Sequence, residues 1–503
     1  MTAAFFEPSM YIPDDAKASG AYYTPDAVVR SLVSWAVRDE TDAMLDPSCG
    51  DGRFLMGHVN AVGVEQDPRS AAVAKARAPG ALVHEGDFFR WATHTEVRFD
   101  CAAGNPPFIR YQRFKGEARR VALELCARHG ARFNGLASSW APFLVAAGGL
   151  VKLGGRIAFV VPAEIGHAPY AAPLIEWFCA RFAHVQVVAV REKLFPELSE
   201  DCWLLYAEGA GGCTDHVAMT VLERFVASNA PPRPTVLVPL ADWRTTWNRR
   251  LRPFLLSAEA RALYTGLADH PGTCRLGDLA SVGIGYVSGA NDFFHLRPSE
   301  ATRWRIPAAV LQPAIRNGRM LSGAVLNLAT LDRLFREDAP IHLLRLHRGQ
   351  EVPREVSRYL DSEMGQRARA AYKCRMRDPW YAVPDVKVPH YFLSYMSGRT
   401  VGLVRNDARA TCPNTLHCVT LKDRRGVAAI GAARLTPFFQ LSCEIEGHPL
   451  GGGMLKLEPR EAARIAIPDG TELAKLNTEL ARETVTELQR WRHYASDQRS
   501  AHD

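Results

Sequence analysis

Short apolar runs recur through the first half of the chain, and each is followed by a stretch with helical spacing of its apolar residues. The runs at 43–46, 62–65, 81–84, 99–104 and 156–161 predict strands, the last being the most apolar. Residues 22–40 predict a helix opened by Thr24-Pro25, a capping residue followed by the proline that suits a first helical turn. Runs at 185–190 and 203–207 predict a terminal hairpin pair. Strands alternating with helices build a mostly parallel sheet covered on both faces, and ligands of such sheets sit beyond the carboxyl ends of the strands.

The pattern changes after residue 226. Pro231, Pro232 and Pro234 crowd the stretch 227–239, which reads as an extended linker. Beyond it, β-like runs at 282–286, 390–395 and 401–404 alternate with loops rich in arginine, glycine and aromatic residues. Leu473, Leu476, Leu480, Leu488 and Trp491 then predict one helix over 471–496. The expected organisation is an α/β domain over 1–226, a linker over 227–239 and a mixed α+β domain over 240–503.

Composition narrows the class. A chain of 503 residues, 47% hydrophobic and 23% charged, is globular and long enough for two or three domains. No run of 18 apolar residues predicts a membrane span. The first residues carry Glu7, Asp14 and Asp15 and lack a basic stretch before an apolar one, so no signal peptide is expected. The expected location is the cytoplasm. Eleven cysteines fit free thiols in a reducing compartment. The closest pair, Cys412 and Cys418, lacks a second close pair, so no zinc or other metal site is expected. The net charge of +7 is unevenly spread. Residues 1–230 hold 22 basic and 26 acidic residues, a balance of −4, and the remainder holds 39 and 28, or +11. The second half is therefore the candidate for contact with a polyanion.

The stretch Asp46-Pro47-Ser48-Cys49-Gly50-Asp51-Gly52 follows the first strand, and its glycines allow a tight turn that a ligand can approach. Glu65 ends the second strand and can accept hydrogen bonds from ribose hydroxyls. Asp87 follows the third strand and can accept from an adenine amine, beside an apolar wall offered by Phe88. The turn has neither the G-x-G-x-x-G pattern nor a following Gly-Lys-Ser/Thr. A ligand containing adenosine without pyrophosphate is expected, and S-adenosylmethionine (SAM) fits.

The sharpest signal is Asn105-Pro106-Pro107-Phe108 at the end of the fourth strand. Two prolines hold the backbone rigid after Asn105. The Asn105 side-chain oxygen and the Pro106 carbonyl can then accept both hydrogens of one exocyclic amine. Such an amine is a poor nucleophile, because its lone pair is delocalised into the ring. Two fixed acceptors favour tetrahedral nitrogen and stabilise the positive charge that develops during methyl transfer. Phe108 supplies a face on which a planar base can stack.

The order Gly20-Ala21-Tyr22-Tyr23-Thr24-Pro25, then 46–54, Glu65, Asp87 and Asn105 to Phe108, resembles the gamma-class, TaqI-like adenine-N6 DNA methyltransferases of restriction–modification systems. The resemblance covers about the first 210 residues and continues more weakly through 283–294, 372–381 and Gly451-Gly452-Gly453. It implies that the segment with Tyr23 and Thr24 packs over the cofactor, and that a DNA-recognition domain follows the catalytic one. Phe108 stands where tyrosine is common, which keeps the stacking face and loses a hydroxyl. The family also holds the flipped base with a second aromatic, for which Phe195 is the candidate. A place in the core is the competing reading of that ring.

An adenine amine inside a duplex must be extruded before it can react. The loop 109–115 is basic and aromatic, and Arg110 and Arg113 are candidate DNA contacts. In 373–381, Arg375, Arg377 and Trp380 combine cations with an aromatic ring and are candidates in the second half. The expected partner is double-stranded DNA, with a cognate restriction endonuclease acting on the same site without binding this chain, and a monomer is expected. N4-cytosine, protein-glutamine and RNA methylation use the same amine geometry and remain open, as does a non-catalytic DNA-binding subunit with a degenerate methyltransferase fold. C5-cytosine chemistry is disfavoured, because the chain has no Pro-Cys dipeptide.

Overall fold

Met44, Leu45 and Asp46 are all buried, and this short strand is the axis of the first of two units. The computed structural model describes residues 24–134, 137–198 and 200–493. Two compact units divide between Leu255 and Leu256.

In the first unit, β1 (Met44–Asp46), β2 (Ala61–Glu65), β3 (Leu82–Glu85), β4 (Phe99–Gly104) and β5 (Val151–Pro162) pair in parallel in the order β3-β2-β1-β4-β5. The order reverses between β1 and β4, so two adjacent carboxyl ends open onto a crevice there. β6 (Phe182–Val190) and β7 (Cys202–Ala210) form the expected antiparallel pair, with β7 wedged between β5 and β6. Helices cover the sheet. In α1 (Asp26–Ala36), Val28, Val29, Leu32, Val33 and Ala36 are buried on one face, as the periodicity of the sequence requires. Trp35 packs edge-on to Tyr206 and carries the Arg156 guanidinium over its ring at 4.8 Å. The helix Trp140–Gly149 is apolar nearly all round and almost wholly buried.

The expected linker differs in its second half. Val236–Pro239 (β9) pairs antiparallel with His216–Leu222 (β8), which itself lies parallel to β6. The sheet thus has nine strands. Pro239, the last residue of β9, precedes a helix at Leu240–Thr245 whose Trp243 is fully buried in this unit. Prolines favour extended chain, and extended chain at a sheet edge is free to pair.

The second unit is mixed α+β. Its largest sheet runs in the order Ala280–Ile284, Leu416–Leu421, Tyr391–Ser394, Leu403–Asn406, Val325–Leu326, mostly antiparallel. The run expected at 282–286 is two residues out of register with its strand, and Tyr286 makes only an isolated bridge to Pro413. The helix expected over 471–496 is two helices, Gly470–Ala474 and Thr478–Arg490. Asn477 interrupts the run, because its side chain accepts from the Leu480 N–H at 3.1 Å and caps a new start. Residues 494–496 of that expectation lie outside the described residues. All eleven cysteines are free thiols, with the Cys412 and Cys418 sulfurs 3.5 Å apart.

Candidate functional site

Asp46 ends β1 with its side chain completely buried. One carboxylate oxygen accepts from the Ser48 N–H at 3.1 Å, and the other has no hydrogen-bond partner among the described residues. Burial, and secondarily the nearby Glu65 and Asp51 carboxylates, push its pKa up to about 8. The chain then turns through Gly50 and Gly52, both at positive φ. At Gly52 a Cβ would stand 2.9 Å from the Ala74 backbone, so the turn presses directly on the helix Pro68–Arg77. Gly104, the last residue of β4, is as tightly constrained: a Cβ there would stand 2.7 Å from Asp46 Oδ1. Glycine at 104 lets the two strand ends meet.

Glu65 ends β2 and accepts from the Gly50 N–H at 2.9 Å and the Asp67 N–H at 2.7 Å. It ties the glycine turn to the neighbouring strand, and burial raises its pKa. Asp51 behaves differently from Asp46. Arg53 bonds it at 3.1 Å and Arg77 pairs with it closely, so its charge is already compensated. Asp87 caps the helix Phe88–His94 by accepting from the Arg90 N–H at 2.9 Å. Phe88 is buried and stacked with Phe143 at 5.2 Å, so it belongs to an aromatic core beside the turn. Pro47 is buried and Ser48 half-buried, with the Ser48 hydroxyl donating to the Asn105 carbonyl at 3.2 Å.

Asn105 leaves β4 at the switch point, next to Asp46. Its amide nitrogen donates to the Thr24 hydroxyl at 3.1 Å, and Thr24 is only 3% exposed. With the nitrogen committed to Thr24, the amide presents Oδ1 as its acceptor. Tyr23 and the residues before it lie outside the described residues. Pro106 is buried, while Pro107 and Phe108 are half-buried, with Phe108 packed against the core of the unit.

Ser139 escapes notice in the sequence. Its hydroxyl donates to the Pro107 carbonyl and accepts from the Ile109 N–H at 2.9 Å, and its own N–H donates to the Ile109 carbonyl at 2.9 Å. Three hydrogen bonds from one buried serine thus bracket Phe108. The only signal for it is a serine pair, Ser138-Ser139, standing just before an apolar helix.

One expectation needs correction. Phe195 is 2% exposed and sits within the hydrophobic core, so its ring has no open face for a base. The Lys193-Leu194-Phe195-Pro196 stretch buries Leu194 as well, and burying both outweighs presenting either. Arg110 is paired with Glu200 at 2.6 Å, which raises its pKa, and Arg113 lies in the exposed turn that follows. Trp380 is half-buried against Phe293 at 5.7 Å and Phe294 at 6.2 Å, a packing role in the second unit. Arg375 is exposed. Arg377 donates to the Val287 carbonyl at 3.1 Å and to the Ser288 carbonyl, bracing that loop.

Residues 8–165 match the family model N-6 DNA Methylase, and residues 248–497 match the model of the C-terminal domain of the Type II methyltransferase M.Eco57I. The chain is 26% identical to Type II methyltransferase M.XamI of Xanthomonas campestris pv. amaranthicola, over 90% of this chain and 86% of that protein. It is 17% identical to Type II methyltransferase M.AccI of Acinetobacter calcoaceticus, over 88% and 84%. Among solved structures, the Type IIL restriction-modification enzyme MmeI in complex with DNA shares the fold, with a TM-score of 0.54 at 11% identity, over 93% of this chain and 71% of that one.

Proposed function

We infer that this chain is an adenine-specific DNA N6-methyltransferase of the restriction–modification kind. The observation that carries the reading is the departure of Asn105-Pro106-Pro107-Phe108 from β4 at the sheet's switch point, beside the buried Asp46. The match of the first part of the chain to N-6 DNA Methylase, together with that of the second half to the C-terminal domain of the Type II methyltransferase M.Eco57I, favours DNA over a protein or RNA substrate.

SAM is the fitting cofactor. Asp46 has an unpartnered buried oxygen, and Glu65 is a second carboxylate whose charge burial disfavours. Both gain from a cationic ligand, and SAM carries a sulfonium and an ammonium. Asp46, the Gly50 turn and Glu65 would hold it, with Thr24, Pro47, Ser48, Asp87 and Phe88 shaping the surroundings. When bound, SAM supplies an electrophilic methyl group.

The chain's own residues do the rest. Asn105 Oδ1 and the Pro106 carbonyl accept the two hydrogens of the adenine amine and hold the nitrogen's lone pair toward the methyl group. As the amine becomes cationic, the same two oxygens stabilise it without reorganising. Thr24 fixes the amide's orientation, and Ser139 fixes the bend that carries Phe108. Phe108 stacks on the extruded base, offsetting part of the unstacking cost of a few kcal/mol. The second unit, from Leu256 onward, recognises duplex DNA. The enzyme acts as a monomer in the cytoplasm, and its counterpart is an endonuclease reading the same sequence.

Incubation with methyl-tritiated SAM and mixed-sequence duplex DNA, followed by nucleoside analysis, tests this. Label in N6-methyladenine is the expected result. Label only in N4-methylcytosine, or in protein, overturns it.

A further inference from the structure

A cleft of roughly 520 Å³ opens within the second unit between the turn at 345–348 and the loop 377–387. Four cations line it, Arg345, Arg348, Arg377 and Lys387, against two carboxylates, Asp378 and Asp385. The ion pair of Arg348 with Asp378, at 3.5 Å, joins two side chains that are 77% and 90% exposed. Pairs this exposed hold little energy and exchange easily.

Arg377 is the informative member. The Val287 and Ser288 carbonyls hold one of its terminal nitrogens. The loop presses on it closely, since a Cβ at Gly289 would stand 2.8 Å from that nitrogen. Its other terminal nitrogen is buried and has no hydrogen-bond partner among the described residues. Partial desolvation lowers its pKa, the mark of a positive charge short of compensation. A guanidinium braced at one edge, with its charge short of compensation, is a fixed positive charge in the cleft wall and favours an anion there. Of these four cations, sequence reading alone singled out only Arg377, because the other three come from segments without a motif.

Resting on the reading of the chain as a DNA methyltransferase, we propose that this cleft is a phosphate-backbone seat: it takes one or two phosphodiesters of the duplex, with Arg345 and Lys387 as the donors and Arg377 as a fixed charge in the wall behind them. The seat positions the duplex without reading its sequence.

The test uses the full chain and leaves Arg377 in place, because that side chain also braces its loop. Binding of a mixed-sequence duplex is measured across a salt series for the natural protein, for Arg345→Gln with Lys387→Gln, and for Lys387→Glu alone. The double substitution is expected to reduce the slope of log K against log salt by about 0.9 for each phosphate no longer neutralised. Binding should weaken alike on every sequence, with SAM affinity and thermal midpoint unchanged. Lys387→Glu should weaken binding further than removal of that one cation would. An unchanged slope in both variants overturns the proposal. So does a loss confined to the methylated sequence, which would make the cleft a reader of bases. Because the readout is binding, it stands apart from the methyl-transfer assay: a protein that labels no DNA refutes the functional reading, and the slopes still decide the cleft.

Discussion

The Thr24 hydroxyl accepts a hydrogen bond from the Asn105 amide at 3.1 Å, joining the entry to α1 with the tip of β4 across 81 residues of chain. The amide's oxygen and nitrogen differ chemically, and under the proposed function this bond decides which of them meets the substrate. Replacing Thr24 with valine keeps the shape and removes the acceptor. A net hydrogen bond of about 0.5–1.5 kcal/mol corresponds to a two- to tenfold fall in kcat at saturating SAM and DNA. Thr24→Ser should restore most of it, and rates equal in Thr24→Val and the natural protein would show that the bond does not orient the amide.

Asn105→Ala removes one of the two acceptors outright. Loss of a pre-organised group of this type costs about a hundred- to thousandfold in kcat. Equilibrium dialysis with labelled SAM should give an unchanged Kd, because Asp46 and Glu65 remain. A matching loss of cofactor binding would relocate the role of Asn105.

With Asp46 in the proposed cofactor site, cofactor binding should depend on pH. Its pKa near 8 means that the carboxyl is mostly protonated at neutral pH in the free protein. A cationic ligand favours the ionised form, so binding at pH 7 should release a proton and affinity should rise toward pH 8, by up to tenfold per pH unit. For the free protein the sign is opposite. The folded-state pKa lies above the unfolded value of 3.8, so the contribution of Asp46 to stability is lost as pH rises through about 8. Calorimetry in buffers of different ionisation enthalpy measures the released proton. Asp46→Asn should abolish the difference, and equal proton counts in both proteins would contradict the assignment.

Ser139→Ala leaves the half-buried Pro107 carbonyl and Ile109 N–H without their shared partner. The expected stability loss is about 1–3 kcal/mol, seen in the urea midpoint. Because the bend carries Phe108, the variant should also bind DNA normally yet show less fluorescence from 2-aminopurine at the target position. Full fluorescence with reduced stability would mean that Ser139 serves folding alone.

The two aromatic candidates separate cleanly. Phe195→Ala opens a core cavity and should cost about 3–5 kcal/mol of stability, with little selective effect on methyl transfer once folded. Phe108→Ala, at a half-buried position, should cost less stability than Phe195→Ala and lose base capture. Reversal of the two patterns would restore Phe195 to the site.

Much of the candidate site in the first unit could be read from the sequence, because its signals are local. Asp46, Glu65, Asp87 and Asn105 each stand at the end of an apolar run, and a run's end is visible without knowing its neighbours. Ser139 and the Arg77–Asp51 pair depend on which segments meet, and no spacing along the chain announces that. Phe195 failed for a related reason: an aromatic in a short loop looks the same whether it faces outward or inward. In the second unit, Asn477 divides what periodicity joins, since a capping side chain outweighs the leucine spacing around it. Arg345 and Lys387 carry no motif, and only the fold brings them to one cleft.

The ninth strand has a practical consequence for dissecting the chain. Cutting after residue 226, where the prolines begin, strips Val236–Pro239 from its neighbour and bares the amides and carbonyls of Met219 back to His216. A naked edge of that kind recruits other chains, so such a fragment should self-associate. Ending instead at Leu255, where the two compact units divide, retains both that border and the buried Trp243.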